Sequence, residues 1–226
     1  LRQAMGYHPD VDASMARAID LLTGAGAGAE VTDVTMASYN EWNAPEFEVL
    51  LYEFKDGLNA YLRSSHAPQA SLEALIAWNA SHAETVMPFF AQELLESAQA
   101  KGPLTDPAYL RARDEARRLA GPAGLIAVLD QDRLDAVIAP SVSPAWPTDH
   151  VLGDHFVGAG YGAAAVAGTP SLTVPIGNSQ GLPLGMTFMG RPYSEGDLLG
   201  FGYALEATAS LRDAPTYRPT LQRHDR

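Results

Sequence analysis

The stretch Leu134-Asp-Ala-Val-Ile-Ala-Pro140 is a short apolar run that ends in proline, as a buried β-strand would. Farther along the chain, residues 171–175 and 184–190 have the length and composition of two more strands, and the turn-forming residues 177–183 are predicted to join them. Residues 197–211 predict a closing helix. Strands that are separated by helices favour an α/β fold in which helices flank a mixed β-sheet.

The start of the chain predicts a helix that is followed by a strand. Apolar residues recur at helical spacing over residues 11–23, which predicts a helix with Asp10 as its N-cap. Residues 30–36 are rich in β-branched side chains, so we expect a short strand there.

The region from residue 45 to residue 130 is predicted to be mostly helical. Its first helix is expected to be amphipathic, and Ser71 is placed to cap the next one. Another helix is predicted near residues 89–100, and one more begins at Pro107 and breaks or kinks at Gly121-Pro122. The apolar positions of the first helix are Phe47, Leu50, Leu51, Phe54, Leu58, Tyr61 and Leu62.

Length and composition limit the classes of protein. The 226 residues, 46% of them apolar, can form one domain over residues 1–226, with a helix-rich part (45–130) and a sheet-forming part (134–211). The net charge of −12 argues against nucleic-acid binding and against binding to an anionic membrane. Because cysteine is absent, disulfides and thiolate catalysis are excluded. No apolar run approaches the roughly 20 residues that a membrane span needs.

The first residues leave the cellular compartment open. The start Leu-Arg-Gln-Ala-Met-Gly has neither an initiator methionine nor the apolar region of a signal peptide, so we do not expect it to be a native N-terminus. The cytoplasm is the default compartment, and export stays open because any signal would precede Leu1.

An ordered set of motifs in the last third of the chain resembles the C-terminal blocks of the amidase signature family. The set consists of Gly168-Thr-Pro-Ser-Leu-Thr-Val-Pro-Ile-Gly177, Gly181-Leu-Pro-Leu-Gly-Met-Thr-Phe-Met-Gly-Arg191, Leu198-Leu199 and Ala204-Leu-Glu206. Within the family, Ala139-Pro-Ser-Val-Ser-Pro-Ala-Trp146 is similar to bacterial amidases of the peptide amidase type. The resemblance covers nearly the whole chain. Ala165 departs from it, because many members carry asparagine at this position.

The resemblance implies hydrolysis of a carboxamide by a serine nucleophile, which a second serine and a lysine activate. It also implies an oxyanion hole of backbone amides and no cofactor. The chain has no Gly-Gly-Ser-Ser-Gly-like run, and we predict that its two lysines, Lys55 and Lys101, are solvated surface groups. We therefore expect no catalytic residue in this chain. The resemblance puts the two serines and the lysine upstream of Leu1, in an N-terminal half of the same polypeptide, and this chain alone is expected to be inactive.

Four residues are candidates for the wall of a pocket that binds a small-molecule or peptide amide. Ligands of α/β proteins bind beyond the carboxyl ends of strands, and residues 141–160 form an irregular, proline-containing loop after the first strand of the sheet-forming part. The candidates in this loop and at the start of the following helix are Ser143, Trp146, Tyr161 and Thr169. The alternative for each is a packing role alone.

A metal site is not predicted. His150 and His155 lie near Asp149 and Asp154, but this loop cluster lacks the spacing of a ligand set.

Two other functions stay open. The chain could be a non-catalytic scaffold or binding module derived from an amidase, or it could resemble part of the A-type component of a tRNA-dependent amidotransferase. If the sheet is shared with an N-terminal half, an uncovered edge or apolar face should also favour a homodimer.

Overall fold

The computed structural model describes residues 1–24 and 28–217 and has the α/β architecture that the sequence predicts. The chain divides into two compact units. The first contains Leu1–Glu41 and the chain from Arg117 onward, and the second contains Trp42–Ala116. A single domain over residues 1–226 stays a prediction.

The helices follow one another through both units. In chain order they are α1 (Pro9–Thr23), α2 (Asn43–Ser64), α3 (Leu72–Ser81), α4 (Ala83–Val86), α5 (Glu93–Gln99), α6 (Pro107–Ala120), α7 (Ile126–Gln131), α8 (Gly162–Ala167) and α9 (Glu195–Thr208). Short 3₁₀ and π-helical segments occupy Arg2–Ala4 and Gly121–Leu125. Among the described helices, we find none with the length and apolar character required to cross a membrane.

The sheet belongs to the first unit. Its strands are β1 (Val137–Pro140), β2 (Ser171–Ser179) and β3 (Leu182–Met189), in the order β1-β3-β2. Both outer strands pair antiparallel with β3, so the pairings among these three strands are all antiparallel and β1 runs parallel to β2 without touching it. The mixed character expected of the sheet therefore does not arise within these three strands.

The three strands predicted after residue 134 are confirmed, but the turn between β2 and β3 is tighter than expected. Only Gln180 and Gly181 connect the strands, and both have positive φ, as the two-residue hairpin turn requires. The β2–β3 ladder continues to the pair Ser179–Leu182, and its register shifts between Pro175 and Gly177. The φ of +125° at Gly177 accommodates this β-bulge. The predicted connection over residues 177–183 is therefore too long.

One face of the sheet is covered by α1 and α9. Val11 and Met15 from α1 and Leu198 from α9 are buried in one cluster with Met186 and Phe188 of β3. The helical stripe that predicts α1 is therefore its core-facing side.

The N-cap of α1 is not Asp10, as the sequence predicts, but His8. The His8 Nδ1 accepts a hydrogen bond from the Asp10 N–H at 3.2 Å. Pro9 occupies the first helical position, where its fixed φ is favourable, so Asp10 lies inside the first turn. There its carboxylate accepts a hydrogen bond from the Ser179 hydroxyl at 2.5 Å.

The strand predicted over residues 30–36 forms no ladder with β1, β2 or β3. Its burial nevertheless alternates, because Val34 and Met36 are buried whereas Thr35 is exposed. This period of two is typical of a strand with one covered face. The prediction of a short strand is wrong for these residues, since the structure has no strand there and residues 2 and 3 hydrogen-bond to this segment instead.

The predicted break near Gly121-Pro122 is confirmed. Gly124 has non-helical dihedral angles, and a Cβ on it would lie 2.5 Å from the Leu119 carbonyl oxygen. The Ser38 hydroxyl hydrogen-bonds to the carbonyl oxygens of Leu119 (2.7 Å) and Ala123 (3.1 Å), so it satisfies acceptors that the break releases.

The second unit is helical, and Ser71 caps α3 as predicted, because its hydroxyl accepts from the Ala74 N–H at 3.1 Å. Its core contains Leu51, Leu72 and Ala98. The amphipathic helix α2 is confirmed, but several of its apolar side chains remain exposed in the structure. These are Phe47 (48%), Leu50 (54%), Phe54 (44%) and Tyr61 (65%).

Candidate functional site

The irregular loop predicted after β1 leaves the end of that strand at residues 141–143, and residues 158–160 return to lie beside them. The Ser143 N–H donates to the Gly158 carbonyl oxygen at 2.8 Å, and the Gly160 N–H donates to that of Ser141 at 3.2 Å. Between these bonds, Val142 and Ala159 form an isolated antiparallel bridge. Residues 141–143 and 158–160 therefore make a closed base for the loop, which we call the loop base.

Two glycines allow the loop base to close. A Cβ on Gly160 would lie 2.5 Å from the Ala139 Cβ, and one on Gly158 would lie 2.5 Å from the Tyr7 ring. Real Cβ atoms do not approach other atoms this closely. The local sequence Gly158-Ala-Gly160 therefore fixes how tightly the loop packs on β1 and on Tyr7.

Two buried hydroxyls at the loop base have no hydrogen-bond partner among the described residues. They are the Oγ of Ser143, a residue that is 3% exposed, and the hydroxyl of Tyr7. A buried polar group without a partner costs free energy, so such groups mark places where a ligand group could bind. Both residues contact Gly158, Ser143 through its backbone and Tyr7 through its ring.

The tyrosines near the loop base stay protonated at neutral pH. Burial, followed by the charges of Asp12 and Tyr39, raises the pKa of Tyr7 to about 12. Burial also raises the pKa of Tyr39, whose hydroxyl donates to the Ala159 carbonyl oxygen at 3.3 Å. Tyr7 is therefore a neutral hydrogen-bond donor at the base of this loop.

Three more hydroxyls cluster where β1 leaves the sheet. The Ser141 Oγ lies 2.7 Å from the Thr187 Oγ1 and 3.4 Å from the Thr173 Oγ1, and the two threonine hydroxyls are 2.9 Å apart. Gly185 leaves room for them, because a Cβ there would lie 2.8 Å from the Ser141 Oγ. Thr187 is buried and Thr173 is exposed, so the cluster extends from the interior to the surface.

An aspartate organises the outer part of the loop. The Asp149 carboxylate accepts from the N–H groups of Val151 (2.8 Å) and Leu152 (3.0 Å) and lies 3.1 Å from the His155 Nε2. The backbone hydrogen bonds, followed by the His155 contact, lower the pKa of Asp149 to about 2. Asp154 accepts from the Trp146 Nε1 at 3.3 Å. Within residues 1–24 and 28–217, no three acidic or histidine side chains are grouped so that they could hold a metal ion.

The structure brings some of the four predicted pocket residues together, but not all of them. Ser143 and Trp146 follow β1, and Tyr161 directly follows the loop base and is 49% exposed. Thr169 precedes β2. Because Ser171 and Val137 both pair with Met189, the starts of β2 and β1 are aligned, and Thr169 lies at the opposite end of the sheet from Ser143. The Oγ1 of Thr169 is also buried without a partner among the described residues.

The sequence reasoning missed Tyr7, Tyr39 and the cluster around Ser141. The period-two pattern of the strands could have placed Thr173 and Thr187 on one face of the sheet. No local sequence pattern marks Tyr7 or Tyr39. They contact Gly158 and Ala159, which are far away in sequence, so only the folded chain brings them to the loop base.

Lys55 and Lys101 are not the solvated groups that the sequence predicts. The Lys55 Nζ donates to the carbonyl oxygens of Gln99 (2.8 Å) and Lys101 (2.5 Å), next to the C-terminus of α5. The Lys101 Nζ pairs with the Glu48 carboxylate at 2.7 Å. Both lysines are half-buried. Their partners are of the kind that attract cations, since helix-end carbonyls and carboxylates carry negative charge. These partners are those of structural lysines, and in the described part of the chain neither amine hydrogen-bonds to a serine hydroxyl.

The fold and the loop base define an α/β protein with buried hydroxyl donors at the carboxyl end of a strand. The family model described as Amidase matches residues 2–199, so the chain belongs to the amidase signature family. The resemblance of its C-terminal motifs to this family is thereby confirmed.

Solved and curated relatives show how much of the family's length the chain represents. The peptide amidase of Stenotrophomonas maltophilia is 44% identical with a TM-score of 0.82, and the match covers 91% of this chain and 41% of that one. A probable amidase of Arabidopsis thaliana is 29% identical over 174 residues, which are 74% of this chain and 30% of the plant protein. A glutamyl-tRNA(Gln) amidotransferase component from a Ruegeria species is 51% identical over 51 residues, 22% of this chain and 10% of the Ruegeria protein. The chain thus spans less than half the length of each of these relatives.

Proposed function

We propose that this chain is the C-terminal part of an amide hydrolase that releases ammonia or an amine from a carboxamide. The serine nucleophile, the bridging serine and the lysine are supplied by an N-terminal half of the same polypeptide. The observation that carries the proposal is the 44% identity with the Stenotrophomonas maltophilia peptide amidase over 91% of this chain. On its own, the chain is expected to be inactive, because its two lysines have structural partners.

The substrate class that we favour is a peptide or a small molecule with a carboxamide. Peptide amidase structures are 44–45% identical to this chain, and one of them contains the competitive inhibitor chymostatin. An amide substrate carries both a carbonyl acceptor and N–H donors. The buried hydroxyls of Ser143 and Tyr7 are suited to such groups, since each can donate and accept.

We assign the pocket wall to the loop base. Ser143 and Tyr7 both contact Gly158, and their hydroxyls are buried. Trp146 and Tyr161 lie in or next to the same loop. Binding of a polar substrate group there would pair two hydroxyls that have no partner in the described residues, which supports a binding role over packing alone. Thr169 would contribute to a different part of the protein, at the other end of the sheet.

The amidotransferase alternative rests on a short, highly similar segment. That match covers 22% of this chain, whereas the peptide amidase match covers 91%. The extent of the second match is the reason that we favour hydrolysis over ammonia delivery to a charged tRNA. A non-catalytic scaffold is the remaining alternative.

The test is complementation. We would co-express this chain with the N-terminal portion of the Stenotrophomonas maltophilia peptide amidase that lies outside the match, and measure ammonia release from a C-terminally amidated peptide. We expect turnover from the pair and none from this chain alone. Turnover by this chain alone would contradict the catalytic assignment, and an inactive but assembled pair would favour the scaffold.

The pocket assignment is tested in the same active pair. Ser143→Ala and Tyr7→Phe remove one hydroxyl each and should raise KM for the amidated peptide by about tenfold, the equivalent of one hydrogen bond to the substrate. Ser64→Ala, at an exposed position of the second unit, is the matched control. Unchanged KM in both site variants would return Ser143 and Tyr7 to a packing role.

A further inference from the structure

The hydroxyls of Ser141, Thr173 and Thr187, which we call the hydroxyl cluster, lie on the face of the sheet opposite α1 and α9. Met186 and Phe188 point towards those helices, so Thr187, which lies between them in β3, points the other way. Thr187 is 1% exposed, Ser141 is half-buried and Thr173 is exposed. The hydroxyl cluster therefore reaches the surface through Thr173.

The hydroxyl cluster has one proton more than its short hydrogen bonds use. Three hydroxyls carry three protons, and the two bonds to Thr187, at 2.7 and 2.9 Å, use two of them. The remaining contact, between Ser141 and Thr173, is 3.4 Å long and therefore weak. Either partner of each short bond can be the donor, so the spare O–H belongs to Ser141 or to Thr173. The cluster can thus donate to an acceptor at either of its two ends.

Ser143 lies one strand repeat from Ser141 in the loop base. The bridge between Val142 and Ala159 shows that residues 141–143 are extended. In an extended chain, residues two apart point to the same side and are separated by about 7 Å. Burial agrees with this alternation, since Val142 is 40% exposed and Ser143 is 3% exposed. The buried Ser143 Oγ, which has no partner among the described residues, and the hydroxyl cluster therefore lie on one side of the same segment.

We propose that Ser141 and Thr173 form a subsite for the main chain of a peptide substrate, next to the place where Ser143 and Tyr7 bind a polar group of that substrate. This inference rests on the proposed function and deepens it, because it favours a peptide carboxamide over the amide of a single amino acid. The N–H and C=O groups on one side of an extended peptide also repeat every two residues, at the spacing of Ser141 and Ser143. A hydroxyl can pair with either group, since it both donates and accepts.

An anionic ligand is less suitable for this subsite. Within residues 1–24 and 28–217, the hydroxyls of Ser141, Thr173 and Thr187 hydrogen-bond only to one another, and no lysine or arginine joins them. The chain also carries a net charge of −12. A carboxylate or phosphate would therefore lack a cation to pair with, whereas a neutral peptide group needs only the hydroxyls.

The test compares two substrates in the active pair of this chain and the N-terminal portion of the Stenotrophomonas maltophilia peptide amidase. They are an amidated tripeptide and the amide of its last amino acid alone, which lacks the additional main-chain groups. Thr173→Val and Ser141→Ala remove the hydroxyls at the two ends of the hydroxyl cluster. Ser171→Ala, at an exposed position of β2 two residues from Thr173, is the matched control. Urea unfolding checks that each variant folds, and co-purification measures assembly of the pair.

We expect each site variant to raise KM for the tripeptide amide by about tenfold, the equivalent of one hydrogen bond, and to leave KM for the single-residue amide within about twofold. Ser171→Ala should leave both values within about twofold. If the pair is active but each site variant changes KM equally for the two substrates, or for neither, the subsite is wrong and the proposed function stands. Loss of assembly in Thr173→Val would assign the hydroxyl cluster to the contact with the N-terminal half and overturn the subsite.

A binding measurement on this chain alone separates the two proposals if the pair hydrolyses no amide. The NMR signal of the Thr173 methyl group is followed while the amidated tripeptide is added to the chain and to its Ser141→Ala variant. A saturable shift that is weaker in the variant would retain the peptide subsite although the proposed function has failed. An unchanged signal would overturn the subsite together with the proposed function.

Discussion

The hydroxyl of Thr187 lies 2.7 Å from that of Ser141 and 2.9 Å from that of Thr173. Thr187 is therefore the buried centre of a hydroxyl cluster that links β2, β3 and the residue after β1. Thr187→Val keeps the shape of the side chain and removes both hydrogen bonds. We expect it to lower the free energy of unfolding by about 1 kcal/mol, because the bonds are shielded from water. Thr173→Val, at an exposed position, should change it by less than about 0.5 kcal/mol. Urea unfolding of both variants measures the difference, and equal effects would contradict the central role of Thr187.

Gly160 and Gly57 should respond in opposite ways to alanine. A Cβ on Gly160 would lie 2.5 Å from the Ala139 Cβ and 2.6 Å from the Pro140 carbonyl oxygen, so we expect Gly160→Ala to destabilise the fold by about 1–3 kcal/mol. Gly57 lies inside α2 with nothing within 4 Å of its added Cβ, and Gly57→Ala should stabilise by about 0.5–1 kcal/mol. Thermal unfolding compares the two variants. A Gly160→Ala protein as stable as the original would show that the loop base packs less tightly than the structure indicates.

The Gln3 side chain should contribute to stability through its two bonds to Met36. Gln3→Leu leaves a buried N–H and carbonyl of Met36 without partners and should cost about 1–3 kcal/mol in the free energy of unfolding. Gln131→Leu, at an exposed helix end, is the control and should have little effect. Similar unfolding midpoints for the two variants in guanidinium chloride would argue that water replaces the Gln3 amide without loss.

Tyr7 should make the fold sensitive to alkaline pH. Its pKa is raised from 10.0 to about 12 in the folded protein, chiefly by burial, so the folded state holds this proton more tightly than the unfolded state does. The stabilisation is complete below pH 10 and is lost as the pH rises through about 12. The difference in tyrosinate absorbance between the protein and its Tyr7→Phe variant should titrate near pH 12. A midpoint near 10 would show that the Tyr7 hydroxyl is solvated.

Exposed apolar side chains on α2 should promote association of this chain when it is alone. Phe47, Leu50 and Phe54 are each more than 40% exposed on a helix that the sequence predicts to be amphipathic. Replacing the three by serine should reduce both the binding of an apolar fluorescent dye and any concentration-dependent sedimentation, because less apolar area is in contact with water. A chain that is monomeric and binds no dye before the replacement would contradict this expectation and remove the support for a homodimer.

The strands could be predicted because their signals are local. The run that ends at Pro140 and the alternating residues of β2 and β3 specify extended segments by their length and composition, and the family's motifs lie in the same segments. The cap at Ser71 and the break at Gly121-Pro122 were predictable for the same reason, since caps and breaks depend on a few neighbouring residues. The hairpin turn was placed less well because the irregularity at Gly177 depends on cross-strand pairing.

The sequence by itself determined the α/β class, the family and the loop in which Ser143 and Trp146 lie, because all three depend on residues that are close together along the chain. Only the tertiary structure decided which hydroxyls share the loop base, that Thr169 lies at the other end of the sheet, and that both lysines bind helix-end carbonyls or a carboxylate. It also decided that the backbone groups of Val31, Asp33 and Thr35 have no hydrogen-bond partner among the described residues. The physical reason is that these arrangements join positions far apart in sequence, such as Tyr7 and Gly158, and a contact of this kind exists only once the chain has folded around β1.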